Sequence, residues 1–300
     1  MHIEPLGRSH QGIKSGQGDY QVPAFFSRQA NDINLLTSLV QAHGGRMTIQ
    51  AQSPFTDLLI ANHDPILADL AKNGHEIALH FHEDAHLGRD SASLPVEKWC
   101  SVMKEELDLL KQAAKVSQIR YWSGGNLYPQ IYAAATCAGL SINSDWKNPQ
   151  SQTTDLALAG LQPWRPAGGT DGSDFSLFAT HNPSGAVTFL PEGLYDKNNF
   201  ASMRRSDAAG GDEAYFEYLQ QALLSSLAAA EPGKLNVFHF TVHPGEFRGD
   251  PQHPFAVIEK FLSTVVDPLV ASGKLQWATF GEISDAFNAW QTSHPGQDMR

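Results

Sequence analysis

Four histidines and three carboxylates lie within the fifteen residues of GHEIALHFHEDAHLG, residues 74–88. Imidazole nitrogens and carboxylate oxygens are the ligands that Zn²⁺ and similar divalent ions take from proteins. A catalytic ion also keeps one coordination position open for water or substrate. The stretch therefore predicts a divalent metal site, against the alternative that these histidines only bond to neighbouring backbone.

Alternate residues of a strand share a face, so this stretch has an apolar side and a polar side. The apolar side holds Ile77, Leu79 and Phe81. His80 and His82 project together from the other side, with Asp84 just beyond in the loop. Because one ion cannot use every candidate, we expect His80 and Asp84 to be the ligands. His82 and His86 are less favoured.

Polar residues also follow other strand-like segments. His2 and Glu4 lie on the first, Asp145 lies near the end of INSDW, and His243 lies near the end of LNVFHFTVHP, just before Pro244. In folds of alternating strands and helices, chemistry occurs where strands lead into the following loops. We therefore expect these side chains to converge at one edge of a sheet. His75, at the opposite end of its strand, is expected to be structural.

Strand-like and helix-like segments alternate along most of the chain, separated by short turns that contain glycine. Strand-like segments include RMTIQAQ, HEIALHF, AVTFLP and LQWATF, and VEKWCSVMKEELDLLKQAAK is an amphipathic helix. Such alternation is typical of an α/β fold with mainly parallel strands, and roughly seven β/α units favour a distorted barrel. We predict a single catalytic domain over residues 1–300. Its segment 147–212, rich in Pro, Gly, Asn, Asp and Ser, predicts a long loop or lid.

Composition excludes several classes of protein. A net charge of −11 argues against nucleic-acid binding, and no apolar run approaches the roughly 20 residues that cross a membrane. The start MHIEPLGRSHQG lacks the features of a signal peptide, so a cytoplasmic location is expected, unless the start was trimmed from an exported protein. Cys100 and Cys137 are too far apart for a zinc or redox motif, and we expect buried thiols.

The order of these motifs resembles that of the polysaccharide deacetylase superfamily, the NodB-homology and carbohydrate esterase family 4-like proteins. DPILADLAKNGHEIALHFHED resembles the family's helix, Gly-His-Glu-Ile strand and metal motif. IRYWSGGNLYPQIYAAATCAGLSINSDW resembles its third motif, and FHFTVHPGEF resembles its late motif with the catalytic histidine. GKLQWATFGEISDAF resembles its closing strand and helix. The resemblance covers roughly residues 1–10 and 46–290 and is weakest over 147–212.

The resemblance implies a NodB-like (β/α)7 barrel that binds a divalent metal, with Zn²⁺ the expected ion. The implied metal ligands are Glu4, His80 and Asp84. Arg120 would orient a carboxylate, and His243 would act as general acid. Gly124, Gly125 and Asp145 would line the catalytic site. Trp122 and Trp146 would offer the rings of a sugar substrate a flat aromatic face.

The first motif departs from the family pattern. The family usually places two adjacent acids there, one for the metal and one as general base, but this chain has Ile3 beside Glu4. An apolar side chain cannot accept a proton, so the base is left open among His2, His82, Glu83 and Glu4 itself.

Three functions follow from this pattern. The first is a metal-dependent deacetylase that removes acetyl groups from a glycan or amino sugar. The second keeps the fold and the metal but hydrolyses a small amide or ureide, which a deep pocket built by 147–212 would favour. The third is a carbohydrate-binding protein that has lost its base. The oligomeric state is left open.

Overall fold

The computed structural model describes residues 1–4, 20–88, 90–125, 128–144, 160–168, 175–195, 210–247 and 250–300. Much of the predicted lid over 147–212 lies outside these ranges, as do Asp145 and Trp146. The lid and the roles expected of these two residues therefore stay predictions. None of the described helices is both long and apolar enough to cross a membrane.

Short parallel strands form the centre of the described structure. They are β1 (Thr48–Ala51), β2 (Glu76–His80), β3 (Trp122–Ser123), β4 (Ile142–Asn143) and β5 (Thr188–Phe189). Strands β1, β2 and β3 form one sheet in that order, and β4 pairs with β5 in a second. A parallel bridge between Tyr121 and Ile142 joins the two sheets. The prediction of an α/β fold with mainly parallel strands is confirmed.

Two further segments lie beside these sheets without forming regular strands. His2 bridges Gln50 in parallel, and its backbone N donates to Val242 O at 3.0 Å. His239 N donates to Glu192 O at 3.1 Å. LNVFHFTVHP therefore makes isolated hydrogen bonds to separate neighbours rather than a ladder, and the prediction of a strand there was wrong. No strand forms over LQWATF either.

Helices follow most strands, as the periodicity predicts. The described helices are α1 (Pro23–Ala42), α2 (Phe55–Ala61), α3 (Ile66–Lys72), α4 (Glu83–His86), α5 (Val96–Ala114), α6 (Ile131–Ala138), α7 (Gly211–Ala229), α8 (Ala256–Phe261), α9 (Asp267–Ala271) and α10 (Phe280–Ser293). A π-helical turn at Leu262–Val266 joins α8 to α9. A capping box between Thr279 and Glu282 begins α10, because each side chain accepts from the other's backbone N–H.

Helix α5 packs against α6 and β2 with one apolar face. Its buried residues recur every three or four positions, at Trp99, Met103, Leu107 and Leu110. This spacing gives a continuous stripe along one side of a helix with 3.6 residues per turn. The same helix also buries a charged residue, Glu106, among these apolar neighbours.

A disulfide links α5 to α6 through Cys100 and Cys137. The prediction of two buried thiols was wrong, and Cys137 is exposed at the surface. The two positions are 37 residues apart, a spacing that belongs to no short motif. Helix packing nevertheless brings their Cα atoms to 5.8 Å, within the range that a disulfide spans.

Candidate metal centre

One carboxylate, that of Glu4, lies among four histidine rings. Its Oε2 is 2.8 Å from His82 Nε2 and 3.7 Å from His80 Nε2, and its Oε1 is 3.1 Å from His243 Nε2. The two Nε2 atoms of His80 and His82 are only 3.0 Å apart. The fourth ring, of His2, stacks on His80 with centroids 4.2 Å apart and meets His243 edge-on. Three separate parts of the chain thus supply one cluster.

The parallel strands explain why these residues meet. His80 is the last residue of β2, and Glu4 follows the amino-terminal residues that bridge β1. His243 follows the segment whose Val242 accepts a hydrogen bond from His2. Because neighbouring parallel strands end at the same edge, side chains at their carboxyl ends converge there. The expected convergence of His2, Glu4, His80 and His243 therefore has a direct structural basis.

His82 joins the cluster because it lies two residues beyond His80 on the same face. It precedes α4 and has an extended backbone, with φ −87° and ψ 108°. Ile3, by contrast, is completely buried. The residue that stands beside Glu4 is thus part of the core and offers no second acid.

Ser123 orients the ring of His80. The register pairs His80 with Ser123 on β3, and Ser123 Oγ is 2.7 Å from His80 Nδ1. With Nδ1 occupied, Nε2 is the ring atom that faces Glu4. Metal-binding histidines commonly have their second nitrogen fixed in this way. Sequence patterns did not single out Ser123, although its place at the end of a strand was a usable signal.

The imidazoles hold Glu4 in its ionised form. Burial disfavours the charge, but hydrogen bonds from His243, His80 and His82 keep the pKa of Glu4 well below its usual value. Burial lowers the pKa of His80 to about 4 despite the opposing effect of Glu4. His80 is therefore a neutral imidazole at physiological pH, which is the form that binds metal ions.

Two other rings in the cluster differ in charge. Burial, together with repulsion from His80 and His243, lowers the pKa of His2 well below its usual value. Burial also opposes a charge on His82, yet its interactions with Asp84 and Glu4 raise its pKa to about 10. A divalent cation would compete with the proton on His82, because metal ligands must be deprotonated.

The donor set fits a divalent ion such as Zn²⁺. Among the described residues, two overlapping triads have all their ligand atoms within 4.8 Å of one another: Glu4, His80 and His82, and His2, Glu4 and His243. Two imidazoles and a carboxylate are a common ligand set for catalytic zinc. The first triad is the more open one, because His82 is partly exposed whereas His2 and His243 of the second triad are buried. It could therefore leave a coordination position facing solvent.

Asp84, expected as a ligand, stands apart from both triads. It lies in α4, and its Oδ1 is 3.8 Å from Nδ1 of His82, on the side of the ring away from Glu4. The structure brings His82 to Glu4 in its place. The cause is α4, which begins at Glu83 and carries Asp84 along the helix instead of letting it continue the strand direction.

Arg120, expected to orient a carboxylate of the site, lies at the other edge of the sheet. It precedes β3 by two residues, and its guanidinium makes two hydrogen bonds to Asp285 of α10, at 2.6 and 3.0 Å. It is also close to Glu76 at the start of β2. The strand that separates Glu76 from His80 therefore also separates Arg120 from the cluster.

The three described residues expected to bind substrate are packed within the protein. Trp122 is fully buried and meets Tyr132 edge-on. Gly124 and Gly125 both have positive φ, and a side chain at Gly124 would collide with the carbonyl oxygen of Phe81. Glycine is needed here so that the two strand ends can approach closely. These observations explain the residue types without a contact to substrate.

Known proteins resemble the chain in structure only. No protein-family model matches it, and no curated protein matches it. A crystal structure titled "putative polysaccharide deacetylase" from Mycobacterium smegmatis superposes with a TM-score of 0.57 and 14% identity, over 90% of this chain and 85% of that one. A 4-alpha-glucanotransferase from Thermococcus litoralis superposes with a TM-score of 0.52 and 14% identity, over 95% of this chain but 39% of its own. The fold of the chain is thus similar to that of both proteins.

Proposed function

We propose that the protein is a metal-dependent hydrolase that removes acetyl groups from a glycan or amino sugar. One observation carries the proposal: the single carboxylate of Glu4 is contacted by ring nitrogens of His80, His82 and His243 at the carboxyl edge of the sheet. The fold adds support, since the two similar structures are named for a polysaccharide and a glucan reaction. The motif order given above points to the same reaction.

In this proposal Glu4, His80 and His82 hold the ion, with Zn²⁺ the expected metal, and Asp84 is not a ligand. A bound divalent ion polarises the acyl carbonyl and lowers the pKa of a bound water to about 7. His243 can carry a hydrogen on Nε2 and donate it in a hydrogen bond to Glu4 Oε1, 3.1 Å away. As general acid, His243 would transfer this proton to the leaving amine. The proton acceptor belongs to the remaining candidates, of which His2 lies within the cluster.

The proposal includes a closed barrel of seven strand-like segments. Hydrogen bonds or bridges connect each described neighbour in turn, from the amino terminus through β1 to β5. Glu192, beyond β5, accepts from His239, and Val242 accepts from His2, which returns the path to its start. Closure would point the ends of all these segments at one mouth, where the cluster lies.

The two alternatives change what occupies that mouth. A small amide or ureide as substrate requires a closed pocket over the cluster, built by the residues of the predicted lid. A carbohydrate-binding protein without catalysis requires only the fold. The amide or ureide hydrolase would turn over a different substrate. The carbohydrate-binding protein would turn over no substrate and would not depend on a metal.

The test is a deacetylation assay on chitooligosaccharides, acetylated xylan and small N-acetyl amides, with and without chelator, alongside isothermal titration with Zn²⁺. We expect chelator to remove activity and Zn²⁺ to restore it. Glu4→Gln should abolish Zn²⁺ binding and lower kcat/KM by roughly 10³-fold, equal to about 4 kcal/mol of transition-state stabilisation. Glu282→Gln, at the opposite edge, is the matched control. Activity that survives both chelator and Glu4→Gln would contradict the proposal.

A further inference from the structure

A second group of polar side chains is buried behind the cluster. It consists of Gln52, just after β1, His86, at the end of α4, and Glu106, in the middle of α5. Gln52 is completely buried, and the side chains of His86 and Glu106 are only 7% and 8% exposed. We refer to these three residues as the clamp. None of them belongs to the two ligand triads.

Gln52 connects the clamp to His82. Its Oε1 accepts from the backbone N of His82 at 2.9 Å and lies 2.8 Å from Nε2 of His86. A backbone N–H can only donate, so the oxygen of the Gln52 amide must face it. That orientation requires His86 Nε2 to carry a hydrogen, which it donates to the same oxygen.

Glu106 holds the other side of the clamp. Its Oε1 is 3.4 Å from Nδ1 of His86, and its Oε2 accepts from the backbone N of Ser53 at 2.9 Å. The ring of His86 also stacks on Phe81, with centroids 5.2 Å apart. The carboxylate of Glu106 thus contacts both Ser53, the residue after Gln52, and His86, the last residue of α4.

Packing alone does not explain why these residues are polar. A buried carboxylate and amide lose their hydration, and an apolar side chain would fill the same space without that loss. Gln52 Nε2 even lacks a hydrogen-bond partner among the described residues. What the polar groups achieve is specific: two acceptors fix the backbone at His82 and the ring at His86.

We propose that Gln52, His86 and Glu106 are positioning residues that hold His82 against Glu4. The inference rests on the proposed function, because it assigns these residues to the same metal site. With its backbone N held by Gln52, His82 keeps the extended conformation that places Nε2 at 2.8 Å from Glu4 Oε2. The clamp touches no reacting atom and acts through the ligand alone.

Gln52→Leu tests this role, since leucine has similar volume but accepts no hydrogen bond. Loss of such an outer partner typically weakens metal binding about 10- to 100-fold, and we expect a rise in the Zn²⁺ Kd of that size. Substitution of Co²⁺ gives a second measurement, because its visible absorption reports ligand geometry and should change. Gln52→Glu keeps an acceptor at this position and should stay near the native Kd.

Glu106→Gln provides an independent variant should Gln52→Leu fail to fold. It removes the charge opposite His86, and we expect a Zn²⁺ Kd about 10-fold above the native value. Glu105→Gln is the matched control, because Glu105 is the neighbouring, exposed residue of α5. It should leave both the Kd and the Co²⁺ spectrum unchanged.

The outcomes separate the two proposals. Folded clamp variants with native Zn²⁺ affinity and an unchanged Co²⁺ spectrum overturn the positioning role and leave the proposed function intact. A native protein that binds no Zn²⁺ overturns both. Weaker binding in Gln52→Leu and Glu106→Gln, with recovery in Gln52→Glu and no change in Glu105→Gln, supports the clamp.

Discussion

The amino and carboxyl edges of the central sheet, where its parallel strands begin and end, each hold a partly buried glutamate, and the pKa values of these two side chains shift in opposite directions. At the amino edge, Glu76 accepts from the hydroxyl of Thr48 at 2.7 Å and the backbone N of Gly281 at 3.0 Å. Burial outweighs these neutral donors, so the pKa of Glu76 is raised. At the carboxyl edge, burial is outweighed by imidazole donors, so the pKa of Glu4 is lowered.

The charges of the amino edge are matched by partners from α10 and its start. Arg120 pairs with Asp285, and Arg46 pairs with Glu282 at 2.8 Å. A cavity of about 280 Å³ also lies here, but charges already paired in this way line it. The carboxyl edge instead gathers several imidazoles around one carboxylate, which leaves nitrogen donors available to a cation. The paired charges at the amino edge attach α10 to the sheet, whereas the imidazoles at the carboxyl edge are suited to binding a metal ion. The size of a cavity alone does not distinguish these two kinds of site.

The largest expected effect on stability comes from removing the Cys100–Cys137 disulfide, which lies at neither edge of the sheet. This variant tests whether stability and metal binding depend on different parts of the molecule. A cross-link that closes a loop of 37 residues contributes about 4 kcal/mol to the free energy of unfolding in the chain-entropy account. We expect the double variant Cys100→Ala, Cys137→Ala to lose about 2–4 kcal/mol in urea denaturation.

The Zn²⁺ Kd of this variant should stay at the native value, because no proposed ligand lies on α5 or α6 and the buried apolar face of α5 still holds Glu106 of the clamp in place. A parallel loss of affinity in the folded variant would show that the disulfide itself is needed to hold Glu106 in the clamp. Disulfides persist mainly in oxidising compartments. In a reducing compartment we expect the Cys100–Cys137 bond to be lost, with the same decrease in the free energy of unfolding. The cytoplasmic location expected from the amino-terminal residues stays a prediction.

Glu76 gives the next largest effect, and it should act on stability alone. Glu76→Ala leaves Thr48 and Gly281 N without their acceptor, which we expect to cost about 1–3 kcal/mol at pH 7. The Zn²⁺ Kd should not change. A loss of metal binding comparable to that of Glu4→Gln would break the distinction between the edges.

Glu76→Gln adds a pH dependence of known sign. Because burial raises the folded-state pKa of Glu76, its protonation stabilises the fold below the unfolded pKa. That contribution is lost as pH rises through the folded pKa. Native protein should therefore lose stability relative to Glu76→Gln as urea titrations move from pH 4 to pH 7. The opposite trend would contradict the assigned shift.

The sequence predicted the fold class and the meeting of the polar residues, whereas their ligand and catalytic roles stay predictions. Strand periodicity and parallel order predicted that His2, Glu4, His80 and His243 would meet, although only His80 lies on a regular strand of the described structure. Alternation also placed His82 on the face of His80, but family spacing favoured Asp84. The start of α4 leaves His82 against Glu4 and carries Asp84 to the other side of the His82 ring, and the position of a helix boundary is poorly fixed by sequence to within one or two residues.

Two other differences between expectation and structure depend on information that a sequence pattern does not contain. The pairing of Cys100 with Cys137 depends on how α5 packs on α6, which their spacing does not reveal. The register of β3 depends on its neighbours, because only Trp122 and Ser123 form the strand. A position two residues earlier, at Arg120, therefore falls at the opposite edge from the one expected.

Arg120 consequently supplies the finest test of the comparison. If it orients a catalytic carboxylate, as the motif resemblance implies, Arg120→Ala should lower kcat/KM severely. If it serves the amino edge, the variant loses only a partly exposed pair with Asp285, and such pairs contribute about 0–1 kcal/mol. We expect the second result, which is a small loss of stability in urea denaturation with a native kcat/KM. Asp285→Asn should have the same effect as Arg120→Ala, because both variants break the same pair. A large fall in kcat/KM for Arg120→Ala but not for Asp285→Asn would return Arg120 to the active site and show that the two edges are not functionally separate.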